Sequence, residues 1–428
     1  MGRRISDGGG RAIRHGRLHR RSAWSGIGKL VGVAALVAVT SATSVTAIAA
    51  GSLSDSVQSV HIGPAGKPAT TGAEALKGAV NFVMVGSDTR QGQSEAAQGD
   101  PGTLNNDVTM LVHISADHQQ MTAVSIPRDT VVPLPACVDT DTGQTLPATR
   151  GMFNTALSRG GAQGGLNCVV AAVANITGVE AEFAGIFKFD GVAAMSAAVG
   201  GVDVCIASPI HDPYVGLDLE PGTRTIEVQQ ASAFLRSRHG IATGSDLGRI
   251  SNQQVFLSAL ARKMLAPGGA LSNPVTMYKL AHAALSNMIV SDNLKNVDTM
   301  VSLALTLKGM DLSKILFVQY PTVENPADPN RLIVDQDPAH ALNVAIQTDA
   351  KTNLDASALG AGATTDTSSD EPAPSAPTPE QPAPEPEPPS TTSSSAPEPS
   401  SSTDKSTSLP SSITGQNASE NTCSKGAG

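Results

Sequence analysis

Ala79-Val80-Asn81-Phe82-Val83-Met84-Val85-Gly86, followed by Ser87-Asp88-Thr89-Arg90, is the stretch that decides the fold. It is an apolar run of strand length, broken only by Asn81 and halted by Gly-Ser-Asp, which predicts a buried strand that delivers a polar loop to a sheet edge. Val108–Ile114 and Met121–Ile126 repeat the pattern on either side of Ser115-Ala116-Asp117-His118-Gln119-Gln120, whose turn-like composition predicts an antiparallel hairpin. Helical patterns follow near 154–176, 191–199, Val228–Arg236 and Arg249–Leu265, the last with Ile250, Leu257, Leu260, Ala261 and Met264 on one face. Further strands are expected near 183–189, at Val202–Ile206 and at Ile315–Val318, and helix-forming sequence closes the domain near Ala350. Strands alternating with helices predict an α/β sandwich on a central mixed sheet. The chain has no internal repeat.

With 428 residues there is enough chain for one large core plus appendages, and the segments outside 79–350 differ from it in composition. Residues 1–26 hold seven arginines (Arg3, Arg4, Arg11, Arg14, Arg17, Arg20, Arg21) against one acid, Asp7, and read as a basic cytoplasmic segment. Residues 27–50 carry one charge, Lys29, at their edge, and a helix of roughly 20 residues crosses a bilayer core. With the basic side inside, this span is a transmembrane signal-anchor that puts everything after Ala50 outside the cell. Ala47-Ile48-Ala49 also fits a signal-peptide cleavage site, and either reading exports the domain. Residues 51–78 read as a polar stalk. After Asp349 the composition turns to Pro, Ser, Thr and Glu, and no aromatic residue follows Tyr320, so residues 351–428 are expected to be a disordered tail. A chain ending near residue 356 is accordingly expected to keep its activity.

An exported domain permits disulfides. Cys137, in a loop rich in Pro and Asp, and Cys168, at the opening of a helix, are the expected pair. Cys205, inside the apolar Val202-Asp203-Val204-Cys205-Ile206-Ala207, is expected to be a buried free thiol, and no cysteine pair has zinc-site spacing.

Three charged clusters sit at strand ends or helix starts. Asp88 and Arg90 follow the first strand, and Asp107 precedes the second. Two carboxylates at neighbouring strand ends can share a hard divalent cation that also takes phosphate oxygens, although such aspartates also cap loops. Arg128 and Asp129 end the third strand, where Pro127 removes a ladder donor. Arg236, Arg238 and Arg249 fall within 14 residues, with Gln253 one turn beyond Arg249 on the same helix face. Guanidinium forks bind phosphate bidentately, and a helix N-terminus adds backbone donors, so the third cluster reads as a pyrophosphate clamp. The net charge of -9 and the scarcity of stacking aromatics argue against nucleic acid as a partner.

The strings NFVMVGSDTR, NNDVTMLVHIS, AVSIPRDT, FNTALSRGG, GGVDVCIASPIHDPYVGLDL, ASAFLRSRH and GSDLGRISNQQVFLSAL resemble, in order across residues 79–265, the motifs of the LytR-CpsA-Psr family. That resemblance implies an α/β/α catalytic domain on a single-pass cell-membrane anchor. It implies a phosphotransferase that moves a cell-wall glycopolymer from polyprenyl pyrophosphate to peptidoglycan with Mg²⁺. Asp88 and Asp107 would be the metal carboxylates, and Arg128, Arg236, Arg238 and Arg249 with Gln253 would hold the pyrophosphate, supported by Arg90. Many members carry an arginine where this chain has Asn105, a departure at one of the phosphate contacts that the resemblance implies.

Breaking a phosphoanhydride needs charge neutralised on both phosphates, which this set supplies by positioning and electrostatics. The sequence does not name the acid that takes the acceptor's proton; Asp88 and Asp129 are the two that could approach it. An apolar slot for the prenyl tail is expected among the helices of 168–199 and 255–307. The same site would also serve a lipid pyrophosphatase, and arginines without a metal pair would serve a noncatalytic wall-binding protein.

Overall fold

A computed structural model describes residues 57–63, 70–87, 104–242, 244–366 and 406–427. The basic segment, the expected span, Asp88, Arg90 and residues 367–405 lie outside the described residues. No helix of the described residues is long and apolar enough to cross a membrane.

The strands that matter for the site are β1 (Gln58–Val60), β2 (Val80–Ser87), β3 (Asn106–Ile114), β4 (Met121–Ser125), β5 (Phe183–Lys188), β6 (Val202–Ile206), β7 (Ile210–Asp212), β8 (Leu217–Leu219) and β9 (Gly222–Ile226). They continue with β10 (Met288–Ser291), β11 (Ile315–Gln319), β12 (Ala363–Thr365), β13 (Gly415–Asn417) and β14 (Thr422–Ser424). The α-helices are α1 (Gly161–Thr177), α2 (Phe189–Ala198), α3 (Val228–Arg236), α4 (Asp246–Leu265), α5 (Pro274–Leu285), α6 (Val297–Lys308) and α7 (Gln336–Gln347).

The main sheet runs β1-β10-β5-β2-β3-β4-β11-β13. β2 pairs antiparallel with β3, and β3 with β4, while β2 with β5 and β4 with β11 are parallel, so the sheet is mixed. Alternation sends Val83, Val85, Leu111 and Val124 to one face, where Leu166, Val169 and Val173 of α1 and Leu342 and Ile346 of α7 cover them. Met110, Val112, Ala123 and Phe317 point to the other face, against Leu257, Ala261 and Leu265 of α4, Leu285 of α5, and Leu303 and Leu307 of α6. Burial on both faces is why these strands read as continuous apolar runs, and it makes the expected three-layer sandwich. A second sheet, β9-β6-β14-β12, packs with α3 and α4 around Phe234 and Phe256.

Three expectations fail at the edges of the domain. Part of the expected stalk belongs to the fold, because β1 pairs with β10 and Leu76 is buried among the sheet's side chains. The described parts of the expected disordered tail, 351–366 and 406–427, belong to the domain: residues 352–353 and 363–365 form short strands, β13 adds to β11, and β14 inserts between β6 and β12. Cys205 is not a free thiol but is joined to Cys423, with their Cα atoms 4.4 Å apart. Composition misled here because only a few isolated apolar side chains, Leu409 and Ile413 among them, anchor this segment to the core, and backbone pairing and a covalent link hold the rest. The expected pair Cys137–Cys168 is present, with Cα atoms 5.7 Å apart.

Candidate functional site

The C-terminal ends of β2 and β4 and the start of β3 meet at one edge of the sheet, and α4 begins against them. Ser245 caps α4, its hydroxyl accepting from the Gly248 N–H at 3.2 Å, so the helix starts at Asp246, ahead of the expected Arg249. This start places Asp246 and Arg249 one turn apart and buried, their side chains joined at 2.5 Å.

Arg128 stands at the centre. Its Nη1 donates to Asp107 Oδ1 at 2.5 Å, and its Nε lies 3.7 Å from both Asp129 Oδ2 and Asp246 Oδ1. Its backbone N–H donates to Asp246 Oδ2 at 3.3 Å. Arg249 Nη2 donates to the Asp107 carbonyl at 2.7 Å, and Arg238 Nη2 lies 4.0 Å from Asp129 Oδ2. Asp107, Arg128, Asp129, Arg238 and Arg249 are thus brought together as expected.

Burial disfavours the charged form of Arg128, but Asp107, Asp129 and Asp246 outweigh it and raise its pKa. Burial pushes the Arg249 pKa down; Asp246 opposes this, and the neighbouring Arg128 adds to it. The Nε donors of Arg128, Arg238 and Arg249 are each buried without a hydrogen-bond acceptor among the described residues. Buried donors without acceptors are costly, and three at one place make a site that an anion would complete.

Arg236 ends α3, half-buried, two residues before Arg238. Gln253 is buried, and its amide donates to the Leu235 carbonyl at 2.9 Å, so in this structure it braces the loop that carries the arginines. Asp88 and Arg90 belong to the residues not described.

Two acids were missed by sequence reasoning. Asp246 ties Arg128 to Arg249; its signal was its place immediately after the Ser245 cap. Asp212, at the end of β7, is buried, and its Oδ2 accepts from Ser237 Oγ and from the backbone N–H groups of Arg238, His239 and Gly240 at 2.8 to 3.2 Å. Burial works to raise its pKa, but the donors from Ser237, Gly240, Arg238 and Tyr214 hold it below the ordinary carboxylate value. Nothing in the spacing of Asp212 showed that it reaches the loop 25 residues later.

Beside this edge lies a cleft of about 310 Å³ lined by Ser87, Leu104, Leu157, Ile186, Lys188 and Ile289, with Gly161 and Gly165 of α1 making room. It opens between strand ends and the start of α1, whereas the expected slot lay among the helices of 168–199 and 255–307. The Ser87 hydroxyl is buried and has no hydrogen-bond partner among the described residues. Among those residues, the only group of three potential metal-ligand side chains is Cys205, Asp366 and Cys423, and its sulfurs are spent in the disulfide.

Three kinds of likeness bear on this arrangement. The model of the LytR_cpsA_psr family matches residues 39–350, which is most of the chain and includes every described residue of the site. The chain is 26% identical over 311 residues to the cell wall biosynthesis protein LcpA of Corynebacterium glutamicum, covering 66% of this chain and 58% of that protein. It is 30% identical over 235 residues to the probable cell wall biosynthesis protein LcpB of the same organism, covering 54% and 52%. The chain therefore spans just over half the length of these curated relatives. The fold is similar to the crystal structure of protein gbs0355 from Streptococcus agalactiae, with a TM-score of 0.51 at 22% identity, covering 64% of this chain and 89% of that one. The chain belongs to the LytR-CpsA-Psr family.

Proposed function

We propose that this chain is an extracytoplasmic, membrane-anchored phosphotransferase that moves a glycopolymer from polyprenyl pyrophosphate to peptidoglycan through a new phosphodiester. The observation that carries the reading is the group of three buried guanidinium N–H donors without acceptors, set at a sheet edge beside a cleft with apolar walls. A pyrophosphate with a prenyl tail satisfies both halves. The relatives named as cell wall biosynthesis proteins support the polymer class. The absence of free cysteine supports an oxidising compartment.

Arg128, Arg238 and Arg249, with Arg236 nearby, would bind the two phosphates, and Asp246 keeps two of these guanidinium groups aligned. Asp129 lies 3.7 and 4.0 Å from Arg128 and Arg238, distances of ion pairing rather than hydrogen bonding. Its free lone pairs make it the described acid best placed to take the proton of the incoming sugar hydroxyl. The Asp107 carboxylate and the unpartnered Ser87 hydroxyl are hard oxygen donors at one edge, a set that fits Mg²⁺, with Asp88 as the further carboxylate. Bound there, the ion would neutralise charge developing on the phosphate oxygens. The walls of the cleft would take the start of the prenyl chain.

The test is the full-length protein in detergent with a polyprenyl-pyrophosphate oligosaccharide, Mg²⁺ and peptidoglycan, scored for a phosphodiester link. Arg238→Ala should lower the rate about 100-fold or more, because two charge-assisted bonds are lost, and lysine should not restore it. Asp107→Asn and chelation should each silence transfer while the protein stays folded. Sugar phosphate released without any link to peptidoglycan would make the protein a lipid pyrophosphatase. Wild-type polymer binding that ignores both substitutions and chelation would make it a wall-binding protein.

A further inference from the structure

Tyr214 is 76% exposed, one of three tyrosines in the chain, at the tip of the β7–β8 hairpin. The hairpin that carries it is firmly seated. Ile210, Leu217 and Leu219 alternate inward and are buried, and Asp212 sends its carboxylate beneath the loop Ser237–Gly240. Gly240 permits this approach, since a Cβ there would lie 2.9 Å from Asp212 Cβ and 3.0 Å from the His211 carbonyl. The Tyr214 N–H donates to Asp212 Oδ1 at 3.2 Å, which fixes the turn. The tyrosine ring then lies against His239, with centroids 4.3 Å apart and planes inclined by 37°. His239 directly follows Arg238, so a single buried carboxylate sets both an arginine of the clamp and an aromatic surface held on a firm backing.

A tyrosine left in water forfeits the large burial its ring could gain, and here a backed ring stands next to a residue that binds phosphate. The face of an aromatic ring is electron-rich, and the C–H groups on one face of a pyranose, polarised by the sugar's oxygens, are its complement. A tyrosine also offers this surface at low entropy cost, having two side-chain torsions. The geometry points to Tyr214, backed by His239, as a stacking platform for a pyranose ring of the glycan whose phosphate is held by the arginines. The inference rests on the transferase reading for its context, but binding of sugar to this ring can be measured without turnover. The sugar has two sources: the first rings of the lipid-linked donor, or the peptidoglycan acceptor.

The experiment uses full-length protein and follows Tyr214→Ala with two donors, polyprenyl pyrophosphates bearing one N-acetylglucosamine or a tetrasaccharide, and with a peptidoglycan tetrasaccharide as acceptor. Loss of one aromatic contact should raise a KM about tenfold while kcat stays within about twofold. A rise confined to the tetrasaccharide donor identifies the donor, and a rise confined to the acceptor identifies the acceptor. Tyr214→Trp should restore the wild-type value. Made in a Trp24→Phe background, Tyr214→Trp leaves a single indole, whose fluorescence should respond to the sugar tetrasaccharides in the absence of any lipid. Fluorescence change without turnover in the wild type would sink the transferase reading and keep the platform. Unchanged KM values together with a silent indole would overturn the platform, as would a fall in kcat at constant KM.

Discussion

The two disulfides bind segments of different reach. Cys137–Cys168 closes 31 residues around the start of α1, and it acts on local structure. Within that clip, Thr140 Oγ1 accepts from the N–H groups of Gln163 and Gly164, and the Asp141 carboxylate accepts from Ala162, so three of the helix's open donors are satisfied beside the cleft. Cys205–Cys423 spans 218 residues and fastens a C-terminal strap across α4, the helix that presents Asp246 and Arg249. Gln416 and Ser424 hydrogen-bond to Ser258 and Asn252 at 2.6 Å, and Arg262 donates to the carbonyls of Ala418 and Glu420. The strap also reaches the arginine loop, with the Ala427 N–H on the Gly240 carbonyl. The same bond chemistry serves a wall of the cleft in one case and the arginine cluster in the other. A cross-link matters to function through the element it holds.

The comparison breaks most sharply at the long-range bond. Cys205→Ser with Cys423→Ser should cost about 5 kcal/mol in the chain-entropy model and lower the melting temperature by roughly 10 °C or more. Because the strap lies on α4, transfer should fall with it. A chain ending at residue 366 should lose its activity as well, the reverse of what composition alone predicts for truncation near residue 356. Thermal melts and transfer rates check both, and retention of both in the double serine variant would reduce the strap to a covering.

The local bond is the contrasting case. Cys137→Ser with Cys168→Ser should cost about 3 to 4 kcal/mol by the same model. Well below its melting temperature, binding of inorganic pyrophosphate should stay within about twofold, because the clamp lies on other elements. Calorimetric titration with pyrophosphate measures this. A large loss of binding would show that the two regions are not separable.

The smallest effect sharpens the comparison from within the clamp. Asp212→Asn weakens bonds to four donors in the Ser237–Gly240 loop and should cost about 2 kcal/mol near neutral pH. The folded pKa of Asp212 lies below the free carboxylate value. Its stabilisation is therefore fully present above that free value and is lost as pH falls through the folded one. In urea melts the gap between wild type and variant should be widest at neutral pH and close in acid. A gap that does not change with pH would mean the charge is not what holds the loop.

Much of the site was legible as residues and little of it as contacts. Asp107, Arg128, Asp129 and Arg249 each stood at a strand end or helix start and Arg238 in the loop just past a helix, and sheet edges collect such residues. Asp212 escaped notice because its partners are fixed by approach in space: it meets Arg238 only once the β7–β8 hairpin has folded against the loop after α3. Asp246 has a local partner in Arg249, three residues on, and only its approach to Arg128 is decided by the tertiary fold. Gln253 read as an anion ligand from its place one turn past Arg249, and the structure turns its amide to a backbone carbonyl.

By itself the sequence determined the sandwich, since apolar runs of strand length between amphipathic helices can be buried in few other ways. It also determined the chemistry of the clamp, because guanidinium and carboxylate groups keep their character wherever they lie. Only the tertiary structure decided the fate of the C-terminal segment. Gly415 and Gly426 there come so close to neighbouring backbone that a Cβ would lie 2.2 Å from the Phe317 carbonyl and 1.8 Å from that of Pro209. Such a segment is held by backbone pairing, small residues, one cystine and two isolated apolar anchors, Leu409 and Ile413. Hydrophobic patterning registers side chains that leave water, whereas close backbone approach and long-range covalent links leave no periodic mark on the sequence.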